Sequence, residues 1–230
     1  MATAYFMELV IKMTKAARDQ EHLEMIIYNA PSIPDRTAYI LGRSGESPLP
    51  DIVSYGRRLK EQNVDCVAIP CITAHYFHQQ IQEGIGLPVI HAIRDTASIL
   101  SRAGISHVGI MATDGTIQSG IFQREIEAQR MTAVLPDEET QRMVMSLIYD
   151  DVKAGRIPDM KKFKTIKKHL RAAGAEVIVL GCTELSVIKK DYELGEGFID
   201  AMEVLAQSAV LACGKELNPE YLTLFTPFSE

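Results

Sequence analysis

Leu59-Lys-Glu-Gln-Asn-Val-Asp-Cys-Val-Ala-Ile-Pro-Cys71 and Leu170-Arg-Ala-Ala-Gly-Ala-Glu-Val-Ile-Val-Leu-Gly-Cys182 are two stretches with one spacing. Each leaves a helix, turns through polar residues, enters a short apolar run and stops on cysteine. Threonine follows both, Thr73 after one residue and Thr183 at once. A short apolar run bounded by turn residues is the pattern of a buried strand. Two units of the same spacing predict a duplicated α/β element, each copy setting a thiol beyond the carboxyl end of a strand. Ligands of open α/β sheets bind at those ends.

Outward from these stretches the chain alternates helical and strand periodicity. Helices are predicted over 3–18, 51–62, 73–84, 94–103, 117–128, 138–154, 160–173, 184–190 and 202–217. Strands are predicted over 23–28, 64–70, 88–91, 107–112, 177–180 and 198–200. The alternation indicates an α/β fold with a parallel sheet. Residues 30–50 carry Pro31, Pro34, Gly42, Gly45, Pro48 and Pro50, and read as a long loop with one helical turn. A loop of that length inside a compact domain points to function or disorder.

Composition narrows the function classes. The chain has 230 residues, 47% hydrophobic and 23% charged, enough apolar material for one large domain or two small ones. A net charge of −6 gives no basic footprint for nucleic acid or an anionic membrane. No apolar run approaches the roughly 20 residues of a membrane span, and the first residues lack a secretory signal pattern. Four cysteines without a CxxC pair fit neither a disulfide scaffold nor structural zinc. Free thiols in a reducing cytoplasm are expected. No Gly-rich phosphate loop of the dinucleotide or P-loop type occurs.

A thiol between a strand end and a helix start meets unpaired N–H groups and the helix dipole, which favour negative charge and a lowered pKa. If the two copies face each other, Cys71 and Cys182 bracket a cleft. One thiolate then removes a proton from carbon while the opposite thiol supplies one to the other face. Cys66 and Cys213 sit in apolar settings and read as packing residues. His75, four residues after Cys71, shares a helical turn with it, but two ligands fall short of a tetrahedral metal site. No metal and no cofactor are expected, and His78 and His91 read as surface or core residues.

Pro70-Cys-Ile-Thr-Ala-His75 and Gly181-Cys-Thr-Glu184 resemble the aspartate/glutamate racemase family, in its aspartate racemase branch. Ile33-Pro-Asp-Arg-Thr-Ala-Tyr-Ile-Leu-Gly42, Met111-Ala-Thr-Asp-Gly-Thr-Ile-Gln-Ser-Gly120 and Asp151-Val-Lys-Ala-Gly155 extend the likeness over essentially the whole chain. The resemblance implies two similar parallel-sheet α/β domains related by pseudo-twofold symmetry, with the active site in the cleft between them. Residues 1–90 with 200–230 would form the first and 91–199 the second. It also implies cofactor-independent two-base catalysis and a homodimer. Carried over by position, Cys71 and Cys182 are the acid/base thiols. Thr73, Thr116 and Thr183 hold the α-carboxylate and neighbouring polar groups, and Arg36 and Lys153 meet a side-chain carboxylate. A guanidinium offers such a group bidentate geometry. Outside the resemblance, Arg36 and Lys153 read as solvated surface charges and Thr116 as a helix N-cap.

Two departures carry expectations. Ile72 stands where the family has Asn, so an amide that would orient substrate is replaced by a side chain without donor or acceptor. The family's opening strand and its Gly-Gly-Met loop have no counterpart, which leads us to expect a truncated start. The reading that follows is an aspartate racemase, with glutamate second. Hydantoin racemases, maleate isomerases and arylmalonate decarboxylases share the architecture and are the alternative enzymes. A catalytically silent dicarboxylate-binding protein is the alternative outside catalysis.

Overall fold

The computed structural model describes residues 2–229. Helix α1 (Ala2–Met13) forms where Tyr5, Leu9, Val10 and Met13 recur at helical spacing, and all four are buried. A single helical turn, α2 (Arg36–Ile40), interrupts the long loop, capped by the Asp35 side chain, which accepts from the Ala38 N–H. Helix α3 (Leu49–Lys60) follows. Beyond Cys71 the chain makes a 3₁₀ turn (Ile72–Phe77) before α4 (His78–Ile85) and α5 (Ala92–Arg102).

The sheet begins with β1 (His107–Met111), followed by α6 (Asp114–Ser119) and α7 (Ile121–Ala128). Then come β2 (Thr132–Val134), α8 (Glu138–Met145) with a π-helical continuation over Ser146–Val152, and α9 (Met160–Ala172). The chain closes with β3 (Val177–Leu180), α10 (Thr183–Asp191), β4 (Phe198–Asp200) and α11 (Ala201–Ala212). The four strands are parallel in the order β2-β1-β3-β4, with Val108 opposite Val177 and Ile178 opposite Phe198.

Side-chain alternation splits this sheet between two cores. Val108, Ile110, Val177 and Val179 face α1, α5, α7 and α11, where Leu9, Leu100, Phe122 and Leu205 pack. Met111, Ile178 and Leu180 face α9 and the π-helical turn, where Leu147, Ile148, Phe163 and Leu170 pack. A third, smaller cluster joins α3 and α4 through Ile52, Phe77, Ile81 and Ile85.

Residues 23–28, 64–70 and 88–91 correct the expected pattern. They run extended but are not strands; among the described residues one parallel bridge, Val67 to Val89, is the pairing they make. Apolar composition makes these segments fit for a sheet, but a strand exists only where a neighbour accepts its backbone, and 23–28 and 64–70 border a cavity instead. The converse holds at β2, three residues without sequence signal that are fixed by pairing with β1. The helix expected over 117–128 starts at Asp114 and breaks at Gly120, whose φ of 68° is left-handed.

Candidate active site

Cys71 ends the extended segment after Val67, and its backbone is held by His75. The His75 Nδ1–H donates to the Cys71 carbonyl at 3.3 Å, and Nε2 accepts the Ala92 N–H at 3.2 Å. That acceptor role fixes the neutral tautomer, and burial pushes the imidazole down to about 4. His75 therefore works as a brace between Cys71 and α5 with no proton on Nε2. Among the described residues no cluster has the composition of a metal site.

Arg36, on α2, brings its Nε to 3.3 Å from Cys71 Sγ, while Nη1 donates to the Ile33 and Pro34 carbonyls at 3.2 and 3.0 Å. The guanidinium is thus clamped with one edge against sulfur. Negative charge at Cys71 is the first cause holding Arg36 above its ordinary pKa, against the opposing effect of burial. Arg36 is a partner of the thiol, where the sequence reading gave it only a substrate carboxylate.

Cys182 has a different environment. It is the N-cap residue of α10, is 6% exposed, and donates its S–H to Glu184 Oε2 at 2.9 Å. The Thr183 hydroxyl donates to the same oxygen at 3.0 Å. Burial first and the Glu184 carboxylate second raise the Cys182 pKa well above that of a free thiol. This corrects the expectation that a helix N-terminus lowers both cysteines. The dipole is worth at most about 2 kcal/mol, and here desolvation and a carboxylate at contact distance exceed it. Cys182 rests as a thiol.

A polar chain of Asp35, Tyr149 and Lys153 adjoins the α2 turn, and of its members the sequence reading gave a role to Lys153 alone. Asp35 accepts from the Tyr149 hydroxyl at 3.2 Å and faces Lys153 Nζ at 3.5 Å. Lys153 Nζ also sits 3.8 Å over the Tyr149 ring. Burial works to lower the Lys153 pKa, but Glu184, Tyr149, Cys182 and Asp35 outweigh it and the value rises. Lys153 therefore stays charged and couples electrostatically to Cys182 and Glu184, as Arg36 does to Cys71. The π-helical turn positions this chain: Lys153 N–H donates to Ile148 at i−5, and such turns recur at functional sites. Tyr149, four residues before Lys153 on the same helical face, had a legible spacing; Asp35 had only its adjacency to Arg36.

Thr73 and Thr116 are 5% and 0% exposed and belong to a buried hydroxyl cluster. Thr73 Oγ1 lies 3.1 Å from both Thr113 and Thr116 Oγ1, and the Thr37 hydroxyl donates to Thr113 at 3.1 Å. The cluster ties α2, the 3₁₀ turn and α6 together. Thr113 is the N-cap of α6, accepting the Thr116 N–H, so the cap falls three residues before the position the spacing suggested. Thr37 and Thr113 went unrecognised because their partners are distant in sequence. Ile72 is 2% exposed and packs in the core with Ala112, Ile121 and Phe122. Cys66 and Cys213, read as packing residues, are half-buried with their sulfurs 3.8 Å apart.

The parallel sheet thus sets one cysteine at the end of β3, and a second cysteine precedes a turn that docks on the α6 N-terminus. The Asp/Glu/Hydantoin racemase family model matches residues 1–209, and the chain belongs to that family. It is similar to the aspartate racemase of Picrophilus torridus, with 31% identity and a TM-score of 0.81 over 96% of this chain and 92% of that one. It is 24% identical to the broad specificity amino-acid racemase RacX of Bacillus subtilis (strain 168), over 91% of this chain and 92% of that protein. A glutamate racemase of Shewanella frigidimarina is 28% identical over 73% of this chain and 64% of its own length. The fold of an aspartate racemase homologue from Pyrococcus horikoshii superposes with a TM-score of 0.71 at 20% identity. The chain is an isomerase of the amino-acid racemase type. No helix among the described residues is long and apolar enough to cross a membrane.

Proposed function

We propose that the protein is a cofactor-independent aspartate racemase in which Cys71 and Cys182 are the two acid/base groups. The opposite electrostatic settings of the two sulfurs carry this reading. Cys71 has the Arg36 guanidinium Nε 3.3 Å from its sulfur; Cys182 faces a carboxylate, which keeps its proton on sulfur. In one direction the Cys71 thiolate takes the α-proton, forming an S–H bond as the Cα–H bond breaks and leaving the electron pair on Cα and the adjoining carboxylate. The Cys182 thiol then delivers its proton to the opposite face and is left as thiolate. The other enantiomer runs the sequence in reverse. Arg36 and Lys153 keep fixed positive charge beside the sulfurs as these exchange protons with the substrate.

Aspartate is favoured by the likeness to the Picrophilus torridus enzyme and by Arg36 and Lys153, two cations suited to a side-chain carboxylate. Thr183 is assigned to the α-carboxylate. Thr73 and Thr116 act beneath it, since their hydroxyls bond to each other. We take the two halves, 1–90 with 200–230 and 91–199, as the walls of the cleft. We take the active form as a cytoplasmic homodimer, an assignment resting on family resemblance and open to sedimentation analysis.

The test is deuterium incorporation at Cα in heavy water, with each enantiomer of aspartate and glutamate. The wild-type protein is expected to racemise aspartate and to exchange from both enantiomers. Cys71→Ala and Cys182→Ala are each expected to lose racemisation while exchange survives from one enantiomer only, opposite in the two variants. Absence of exchange with every enantiomer in the wild type refutes the assignment. Faster exchange with glutamate or with neutral amino acids moves the substrate toward the glutamate racemases or the RacX type.

A further inference from the structure

Thr113 Oγ1 has more neighbours than it can bond. Thr37, Thr73 and Thr116 each place a hydroxyl oxygen 3.1 Å from it, and the Thr116 N–H donor lies at 3.3 Å. A hydroxyl donates once and accepts twice. The Thr37 hydroxyl donates to Thr113, and the Thr116 N–H takes the second lone pair as the α6 cap. The Thr113 proton therefore leaves toward Thr73 or Thr116, and neither of these can donate back to Thr113.

Thr116 is fully buried, and among the described residues the acceptors within reach of its hydroxyl are Thr73 and Thr113. With Thr113 filled, its proton goes to Thr73; any other arrangement leaves a donor unpaired in the core. The Thr73 hydroxyl then accepts from Thr116 and has its own proton left over. Its neighbours among the described residues offer no acceptor, since Thr113 is filled and Thr116 already donates along the line they share. The protons of the cluster thus run one way, from Thr37 toward Thr73. One emerges, on the residue two places after Cys71. The direction is set from α2, which approaches α6 closely at Gly115. A Cβ on that glycine would lie 2.9 Å from the Thr37 Cα and 3.2 Å from its Oγ1. Without the Thr37 hydroxyl, Thr113 would have a lone pair free, and the emerging Thr73 proton could turn back into the cluster.

We propose that Thr37 is a positioning residue for the substrate: by filling Thr113 it makes the Thr73 hydroxyl a fixed donor toward the α-carboxylate of the bound amino acid. A hydroxyl free to turn offers a ligand its proton or its lone pairs, whereas this one offers the proton, which suits an anion. A donor already aimed at negative charge needs no reorganisation when the charge arrives. Thr113 relays the direction, and both residues act through Thr73. This assignment rests on the racemase reading for the identity of the ligand. The carboxylate is an anion before and during proton transfer, so the contact is made in both states and its loss falls chiefly on KM.

The experiment is a double-mutant cycle of Thr37→Val and Thr73→Val, read as KM and kcat for the amino acid that the wild-type protein exchanges fastest in heavy water. Thr37→Val is expected to raise KM at least about fivefold with kcat within about threefold. Thr37→Ser, which keeps the hydroxyl, is expected to stay within about twofold of wild type in both. In the Thr73→Val background no proton remains to be aimed, so adding Thr37→Val is expected to change KM by less than about twofold. Equal effects of Thr37→Val in the two backgrounds overturn the proposal, because a packing defect would add in full. A Thr37→Val protein with wild-type KM overturns it, as does a Thr37→Ser protein as weak as Thr37→Val. If Thr37→Val does not fold, Thr37→Ala takes its place with the same expectations. A wild-type protein that exchanges no amino acid overturns the racemase reading and this assignment with it, whereas a failed cycle in an active protein removes the role of Thr37 alone.

Discussion

Glu184→Gln isolates the charge that distinguishes the two thiols. The glutamine keeps an oxygen to accept from Cys182 Sγ and Thr183 Oγ1, now 2.9 and 3.0 Å from Glu184 Oε2, and deletes only the negative charge. At about 3 Å and an effective dielectric of about 20, two unit negative charges repel by about 5–6 kcal/mol. With about 1.4 kcal/mol per pKa unit, that corresponds to several units. Water and movement of the carboxylate reduce it, so a fall of at least about one unit in the Cys182 pKa is the conservative expectation. The assay is iodoacetamide alkylation across pH with mass-spectrometric mapping of each cysteine. Cys182 is buried, which slows its alkylation at every pH but leaves the midpoint unaffected. The midpoint for Cys182 is expected to fall by at least about one pH unit, about tenfold in rate below both midpoints, while that for Cys71 stays in place. A Cys182 midpoint that does not move, or that rises, refutes the claim that Glu184 holds this sulfur protonated.

Arg36→Lys places one ammonium where a guanidinium bonds Cys71 Sγ and the Ile33 and Pro34 carbonyls together; kcat/KM is expected to fall at least about tenfold, and unchanged kinetics would remove Arg36 from the scheme. Gly115→Ala puts a Cβ 2.9 Å from the Thr37 Cα, so α2 must retreat from α6. A loss of about 1–3 kcal/mol is expected in denaturant melts together with reduced turnover, and a neutral result would refute the close packing of the threonine cluster. Asp200 accepts from Ser186 Oγ and the Met202 N–H, and burial first and Glu203 second raise its pKa to about 7, from an ordinary 3.8. The native state then holds this proton more tightly than the unfolded chain. The Asp200 contribution to stability is full below about pH 4 and is lost as pH rises through about 7. Asp200→Asn keeps the accepting oxygen, and urea melts are expected to show a flatter decline over that interval than the wild type.

Repeated spacing around Cys71 and Cys182, the apolar run of β3 and the helical faces of α1 and α9 were set by the sequence itself. They rest on local periodicity, which survives without knowledge of neighbours. The same locality explains why the predicted segment over 64–70 is no strand despite matching β3 in spacing: pairing requires a second backbone, and one of its edges borders a cavity. Thr113 rather than Thr116 caps α6 because the cap depends on where the loop after β1 turns. Which thiol is held as acid was equally beyond reach of the chain order, since both cysteines follow short apolar runs and precede helical turns. Only folding sets Arg36 from the long loop against one sulfur, and buries the other beside Glu184 where water cannot screen the carboxylate.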